Sequence, residues 1–331
     1  MRSALLAAYR RTGADPPFAD LRAAHGVGME GYFWRFTDVA RGRVVIVLCG
    51  ACRAPDGTWA LVAVAAHPGG PPRWAVVPDC RLATDGLGVR AGDVLEAGDD
   101  GLRVALDGAA LDVAIEPVQP WPRRATGGLG LAHAVPGLHQ YWHPHLLLGR
   151  VAGSATLDGA TVPLGDATVY AEKNWGSAFA GHWWWGQAHG LGDGVACVAF
   201  AGGRLLGRAP TAVVVGLGDR VVRCSPPLAR TAVATAPGRW RLRAAGPVHT
   251  VELEAEAGPA DVRLLPVPVP AERRADLRSA QHLAGELRVT VRRGRRLVFR
   301  GASALAGLER GVPAQGSPTA SASAPAAGSA W

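Results

Sequence analysis

Asp-Gly pairs recur at residues 56–57, 85–86, 107–108 and 158–159, joined by Asp-Asp-Gly at 99–101 and Gly-Asp-Gly at 192–194. Glycine after aspartate tolerates the left-handed backbone of tight hairpins, so this punctuation favours short strands over long helices. The runs between the turns, such as RVVIVLCG, TWALVAVAA, LDVAIEPV, ATVYAE and TAVVVGLG, are rich in Val and Leu. The spacing predicts an all-β fold of antiparallel strands closing into barrels or packing as sandwiches. Only PAERRADLRSAQHLAG, residues 270–285, with proline at its start and glycine at its end, reads as a helix, a short one in the C-terminal half.

The Pro- and Gly-rich stretch EPVQPWPRRATGGLG, residues 116–130, offers a hinge. It divides the chain into two β-units, 1–125 and 126–311. Beyond Gly311 the sequence has too little apolar bulk to offset the entropy of ordering it, so 312–331 is expected to be a disordered tail. The net charge of +8 admits an anionic partner. Its arginines are scattered, however, and the densest run, Arg288 to Arg300, reads as a solvated hairpin about a glycine. No recognition helix, zinc finger or RNA-binding signature accompanies it, so no nucleic-acid partner is expected. Cys49 and Cys52 form a C-x-x-C without a second pair to complete a zinc site, and small buried thiols are the plainer reading. No segment approaches the roughly 20 apolar residues of a membrane-crossing helix. A cytoplasmic location is expected, and the basic charge admits transient contact with an anionic membrane surface.

AEKNWG, residues 171–176, holds the only lysine and the only asparagine of 331 residues, side by side in a chain that uses arginine everywhere else. Arginine could carry the same charge, so both positions demand a particular chemistry. If the segment is extended, Tyr170, Glu172 and Asn174 face one way and Lys173 and Trp175 the other. Downstream, Trp183, Trp185, Gln187 and His189 share a face, with His182 and Trp184 opposite. Upstream, His139, Tyr141, His143 and His145 line up against Gln140 and Trp142, until Pro144 interrupts the ladder. Three successive tryptophans can be a barrel wall, but an acid, a lysine and an amide just upstream point to a lined pocket. The histidines permit a metal reading, which competes with hydrogen-bonded imidazoles bordering a cavity; no metal is assigned.

EKNWG, followed by a phenylalanine and an aromatic W-x-W strand, resembles the signature of the tocopherol cyclase family, and YWHPHLLLGRVAGSATLDG resembles the approach to it. HGVGMEGYFWRF, residues 25–36, is similar to the family's entry strand. Phe179-Ala180 stands where the family has Phe-Pro, and Tyr32-Phe33-Trp34 permutes the usual aromatic order. The resemblance implies two lipocalin-like units related in fold to carotenoid hydratase-type proteins. It also implies closure of a prenylated hydroquinone to a chromanol, by alkene protonation and phenol capture, with no redox change and hence no cofactor. On that reading Glu172 is the acid, Asn174 orients the acid or the phenol, and His143 or His145 accepts the phenolic proton. Trp175, Trp183 and Trp185 line the prenyl cavity, with Tyr141 or Trp142 near its mouth. Lys173 either joins the substrate-binding set or anchors the barrel through a buried carbonyl or carboxylate, and Glu30 is a second-choice acid. The rival reading is a non-catalytic lipocalin-like binder of an isoprenoid or other apolar ligand; a histidine-based metal hydrolase is a third.

Overall fold

The computed structural model describes residues 2–192, 194–205 and 207–311. The expected tail, 312–331, lies outside the described residues. A first, twelve-stranded sheet contains β1 (Met29–Asp38), β2 (Arg43–Ala54), β3 (Gly57–His67), β4 (Arg73–Val77), β5 (Cys80–Leu82), β6 (Gly88–Ala91), β7 (Leu95–Gly98), β8 (Gly101–Leu106), β9 (Ala109–Pro120), β10 (Gln140–Leu157), β11 (Ala160–Pro163) and β12 (Thr168–Gly176). A second, ten-stranded sheet contains β13 (Trp183–Leu191), β14 (Ala196–Gly203), β15 (Thr211–Leu217), β16 (Arg220–Cys224), β17 (Arg230–Ala236), β18 (Arg239–Ala245), β19 (His249–Glu256), β20 (Val262–Val269), β21 (Arg274–Arg293) and β22 (Arg296–Gly311).

Each sheet curls until it nearly closes. In the first, β2 and β3 come back against β5; in the second, β15 and β16 come back against β18 and β19. Each encloses its own apolar core, around Trp34, Val47 and Val62 in one and Trp184, Phe200 and Leu253 in the other. The Asp-Gly turns fall where expected, between β2 and β3, β5 and β6, β8 and β9, and β10 and β11. At the last, Asp158 and Gly159 both take positive φ, 49° and 82°, as a two-residue hairpin turn requires. Cys49 and Cys52 lie three apart on β2, so they project to opposite faces and pack into separate cores.

Two expectations are corrected. The sheets do not part near residue 125: β9 and β10, on either side of the Pro- and Gly-rich stretch, are neighbours in one sheet, and the chain changes sheets between Gly176 and Trp183. Glycine and proline mark a break in the backbone pattern without saying whether the chain leaves its sheet. Residues 270–285 form no α-helix. Pro270 opens a single 3-10 turn and the rest enters β21, which is paired on one side with β20 and on the other with β22. Strand partners on both sides override a local helix preference, and Gly285 sits at a register shift rather than a helix end. The α-helix among the described residues is Arg2–Arg10.

The two sheets meet along a seam packed with Phe33, Ile46, Trp185, Leu283 and Leu305. Polar latches cross it. Arg35 of β1 is fully buried and donates from Nη2 to the carbonyls of Leu283 and Leu305, 2.7 Å each. Gly307 of β22 admits that side chain, since a Cβ there would lie 2.8 Å from Arg35 Nε. His189 donates from Nε2 to the Leu147 carbonyl at 2.7 Å and accepts from Thr168 at Nδ1 at 2.9 Å. Arg35→Met should orphan two buried carbonyls and lower stability by about 1–3 kcal/mol for each, measured as a reduced urea midpoint with the fold retained by circular dichroism.

Candidate functional site

β12 lies between β1 and β10, and its period of two gives neighbouring residues opposite surroundings. Phe33 and Pro144 flank Glu172, and Gly31 and Trp142 flank Asn174; these positions face the seam. Tyr32 and His143 flank Lys173, on the face that looks into the first barrel.

Glu172 is 5% exposed. Its Oε2 accepts three hydrogen bonds: from Tyr170 Oη at 2.5 Å, Trp142 Nε1 at 2.7 Å and Trp185 Nε1 at 2.9 Å. The donors come from β12, β10 and β13, so both sheets are needed to assemble them. Burial raises the carboxyl to about 7, against the lowering effect of those donors and with a smaller push from the charge of Glu309. All three donors use Oε2, which leaves Oε1 as the oxygen to carry the proton.

Glu172 looks into a cavity of about 350 Å³ at the seam, walled by Trp142, Trp183 and Trp185 with Asn174 beside them. It reaches the surface near the exposed residues His139, Arg204 and Leu205. Asn174 fits because Gly31 has no side chain; a Cβ there would fall 2.6 Å from Asn174 Oδ1, an oxygen with no hydrogen-bond partner among the described residues.

The other face of β12 holds a buried ion pair. Lys173 Nζ lies 2.7 Å from Glu30 Oε2, donates to the Ala23 carbonyl at 2.6 Å, and sits 3.2 Å from His25 Nδ1. Burial would raise Glu30, but Lys173 and hydrogen bonds from His25 outweigh it and hold the carboxyl below its ordinary range. Glu30 also accepts from the Gly26 backbone N–H at 2.8 Å, so the pair ties the N-terminal segment across the barrel end. Neither residue lines the cavity, so Lys173 is an anchor and not a substrate contact, and Glu30 is not a reserve acid.

Trp175 is also placed away from the cavity. It stacks on His25, His133 and Tyr141 and donates to the Gly13 carbonyl at 2.7 Å, since alternation sends it to the Lys173 face. Tyr141 shares that stack and donates to the Val135 carbonyl at 2.6 Å, although its edge reaches the cavity wall. Trp142 lies deep beside Glu172 rather than at the mouth. His143 and His145 do not line the cavity. His143 faces the barrel with Lys173 and accepts from the Gly128 N–H at 3.4 Å; His145 follows Pro144, where the pairing register shifts. Burial pushes both imidazoles down, His145 to about 3, so they stay neutral. Phe33, Gln281 and Glu309 were missed. The last two come from β21 and β22, more than a hundred residues from the signature, and no local pattern connects them to it.

A family model described as Tocopherol cyclase-like matches residues 87–312. The probable chloroplastic tocopherol cyclase of Oryza sativa subsp. japonica is 26% identical over 159 residues, which are 44% of this chain and 34% of that protein. The chain therefore spans only about a third of that relative's length. Among solved structures, CghA with Sch210972 is similar at a TM-score of 0.58 and 12% identity, over 87% of this chain and 89% of that one. Kievitone hydratase from Nectria haematococca is similar at 0.52 and 10% identity, over 88% and 89%. Identities this low speak to fold alone, and the fold they share is all-β and lipocalin-like.

Lys173→Met should cost about 3–5 kcal/mol by stranding the Glu30 charge. The double variant with Glu30→Met should recover a large part of that loss, read by urea unfolding. For Glu172, the infrared carbonyl band of a protonated carboxyl should fade with a midpoint near pH 7 and be absent from Glu172→Gln.

Proposed function

The chain belongs to the tocopherol cyclase-like family, and on that premise we propose that it closes a ring on a prenylated aromatic by protonating the chain's double bond with Glu172. A hydroxyl on the aromatic ring then captures the tertiary cation, and the product is an isomer of the substrate. The observation that carries this reading is a buried carboxyl with no cation partner among the described residues, held by three donors on one oxygen and open to an apolar cavity. An alkene is a very weak base, so its acid must be available in protonated form near neutral pH, and a carboxyl that burial raises to about 7 meets that need. The cation needs stabilisation that does not react with it. Indoles supply about 0.5–2 kcal/mol each by cation–π attraction, and Trp142, Trp183 and Trp185 are in the wall. Water admitted to the cavity would capture the same cation as an alcohol, so a dry wall favours ring closure over hydration.

The test is incubation with a prenylated hydroquinone in deuterated water, where the chromanol should carry deuterium at the former alkene carbon. Glu172→Gln should lose about 10²- to 10⁴-fold in kcat with the fold intact. Because the acid must be protonated, kcat should fall above about pH 7 as Glu172 ionises. Tight binding without any labelled product would discard the enzymatic reading in favour of a carrier.

A further inference from the structure

The cavity wall contributed by the second sheet carries a polar group of its own. Trp185 of β13 pairs with Glu309 of β22, and Glu309 pairs with Gln281 of β21. Cross-strand partners project to the same face, and all three line the cavity. Trp185 gives its indole N–H to Glu172, and the charge of Glu309 is felt at Glu172. Glu309 accepts from Trp183 Nε1 at 2.5 Å. The Trp183 ring lies over Gly311, where a Cβ would fall 2.1 Å from it.

Gln281 is fully buried, yet among the described residues neither its Nε2 nor its Oε1 has a hydrogen-bond partner. An unsatisfied buried polar group costs about 1–3 kcal/mol, a cost best explained at a cavity wall by a ligand that supplies the missing partner. A free donor and a free acceptor side by side match a hydroxyl, which both accepts and donates.

We propose that Gln281 and Glu309 receive the hydroxyl that closes the ring, Gln281 positioning its oxygen and Glu309 taking its proton. This rests on the cyclase reading above. The balance is complete without an oxidant or reductant. The O–H bond of Glu172 breaks as a C–H bond forms on the alkene; the hydroxyl oxygen then bonds to the tertiary carbon while its proton passes to the Glu309 carboxylate. The step requires the two carboxyls to share one proton, with the Trp183 N–H favouring the Glu309 carboxylate against the burial that raises its pKa, and that proton returns from Glu309 to Glu172 through solvent once the product has left.

The test compares a geranyl-substituted hydroquinone with its dimethyl ether by calorimetry. The protein should bind the free hydroquinone at least about tenfold more tightly, a gap of about 1.4 kcal/mol. The near-isosteric Gln281→Met should cut that ratio severalfold, the remainder coming from Glu309, which still accepts from the hydroxyl. In deuterated water, Glu309→Gln should still label the alkene of recovered substrate but close the ring at least about a hundredfold more slowly, whereas Glu172→Gln does neither. An unchanged preference in Gln281→Met, or closure at the normal rate in Glu309→Gln, overturns the proposal. Absence of labelling and closure in the unaltered protein removes the cyclase reading instead, and the hydroxyl preference still decides whether Gln281 is a receptor.

Discussion

A carboxyl taken out of water without a counter-charge is the constraint around which this protein is organised. Among the described residues Glu172 has no cation partner, and what makes its burial tolerable is a set of three donors from three strands, two in the first sheet and one in the second. Isolated, the first sheet could supply only Tyr170 and Trp142, and its face would be wet. Docking of the second sheet adds Trp185 and closes the cavity in one step. The carboxyl therefore acquires its raised pKa only in the assembled seam, which the latches made by Arg35 and His189 hold together.

The same argument explains why two adjacent charged residues on β12 have opposite fates. Glu172 would be a poor acid beside Lys173, because a cation favours the carboxylate. Strand geometry separates them by the thickness of the sheet, and a slip of one residue would exchange them. The Lys173 and Glu30 pair opposes such a slip, since it is satisfied only when β1 and β12 keep their register.

What could be read in the sequence was whatever depends on period and turn chemistry. The Asp-Gly turns located four hairpins, and alternation assigned Glu172 and Asn174 to one face of β12 and Lys173 and Trp175 to the other. Alternation does not say which face meets a cavity and which a barrel core, so Trp175 was put with the cavity residues although it belongs to a stack under the N-terminal segment. The histidines failed for the same reason, compounded at His145 by the irregularity at Pro144. Gln281 lay inside a stretch with helical local character, and only pairing with β20 and β22 makes it a strand residue. Long-range register also brings Glu309 opposite Trp185, and that register is written in no short motif.

The lone lysine and asparagine follow from the space on each side of β12. An ammonium offers three donors on a compact head, and Lys173 Nζ has three acceptors within 3.2 Å, the Glu30 carboxylate, the Ala23 carbonyl and His25 Nδ1. A planar guanidinium distributes five donors over a wider fork and would leave several of them without partners in a fully buried site. Across the strand, the Asn174 amide lies against the bare Cα of Gly31, close enough that a Cβ there would collide with it. Arginine is therefore disfavoured on one face by the number of acceptors, and on the other the amide is set by what Gly31 and the cavity leave open.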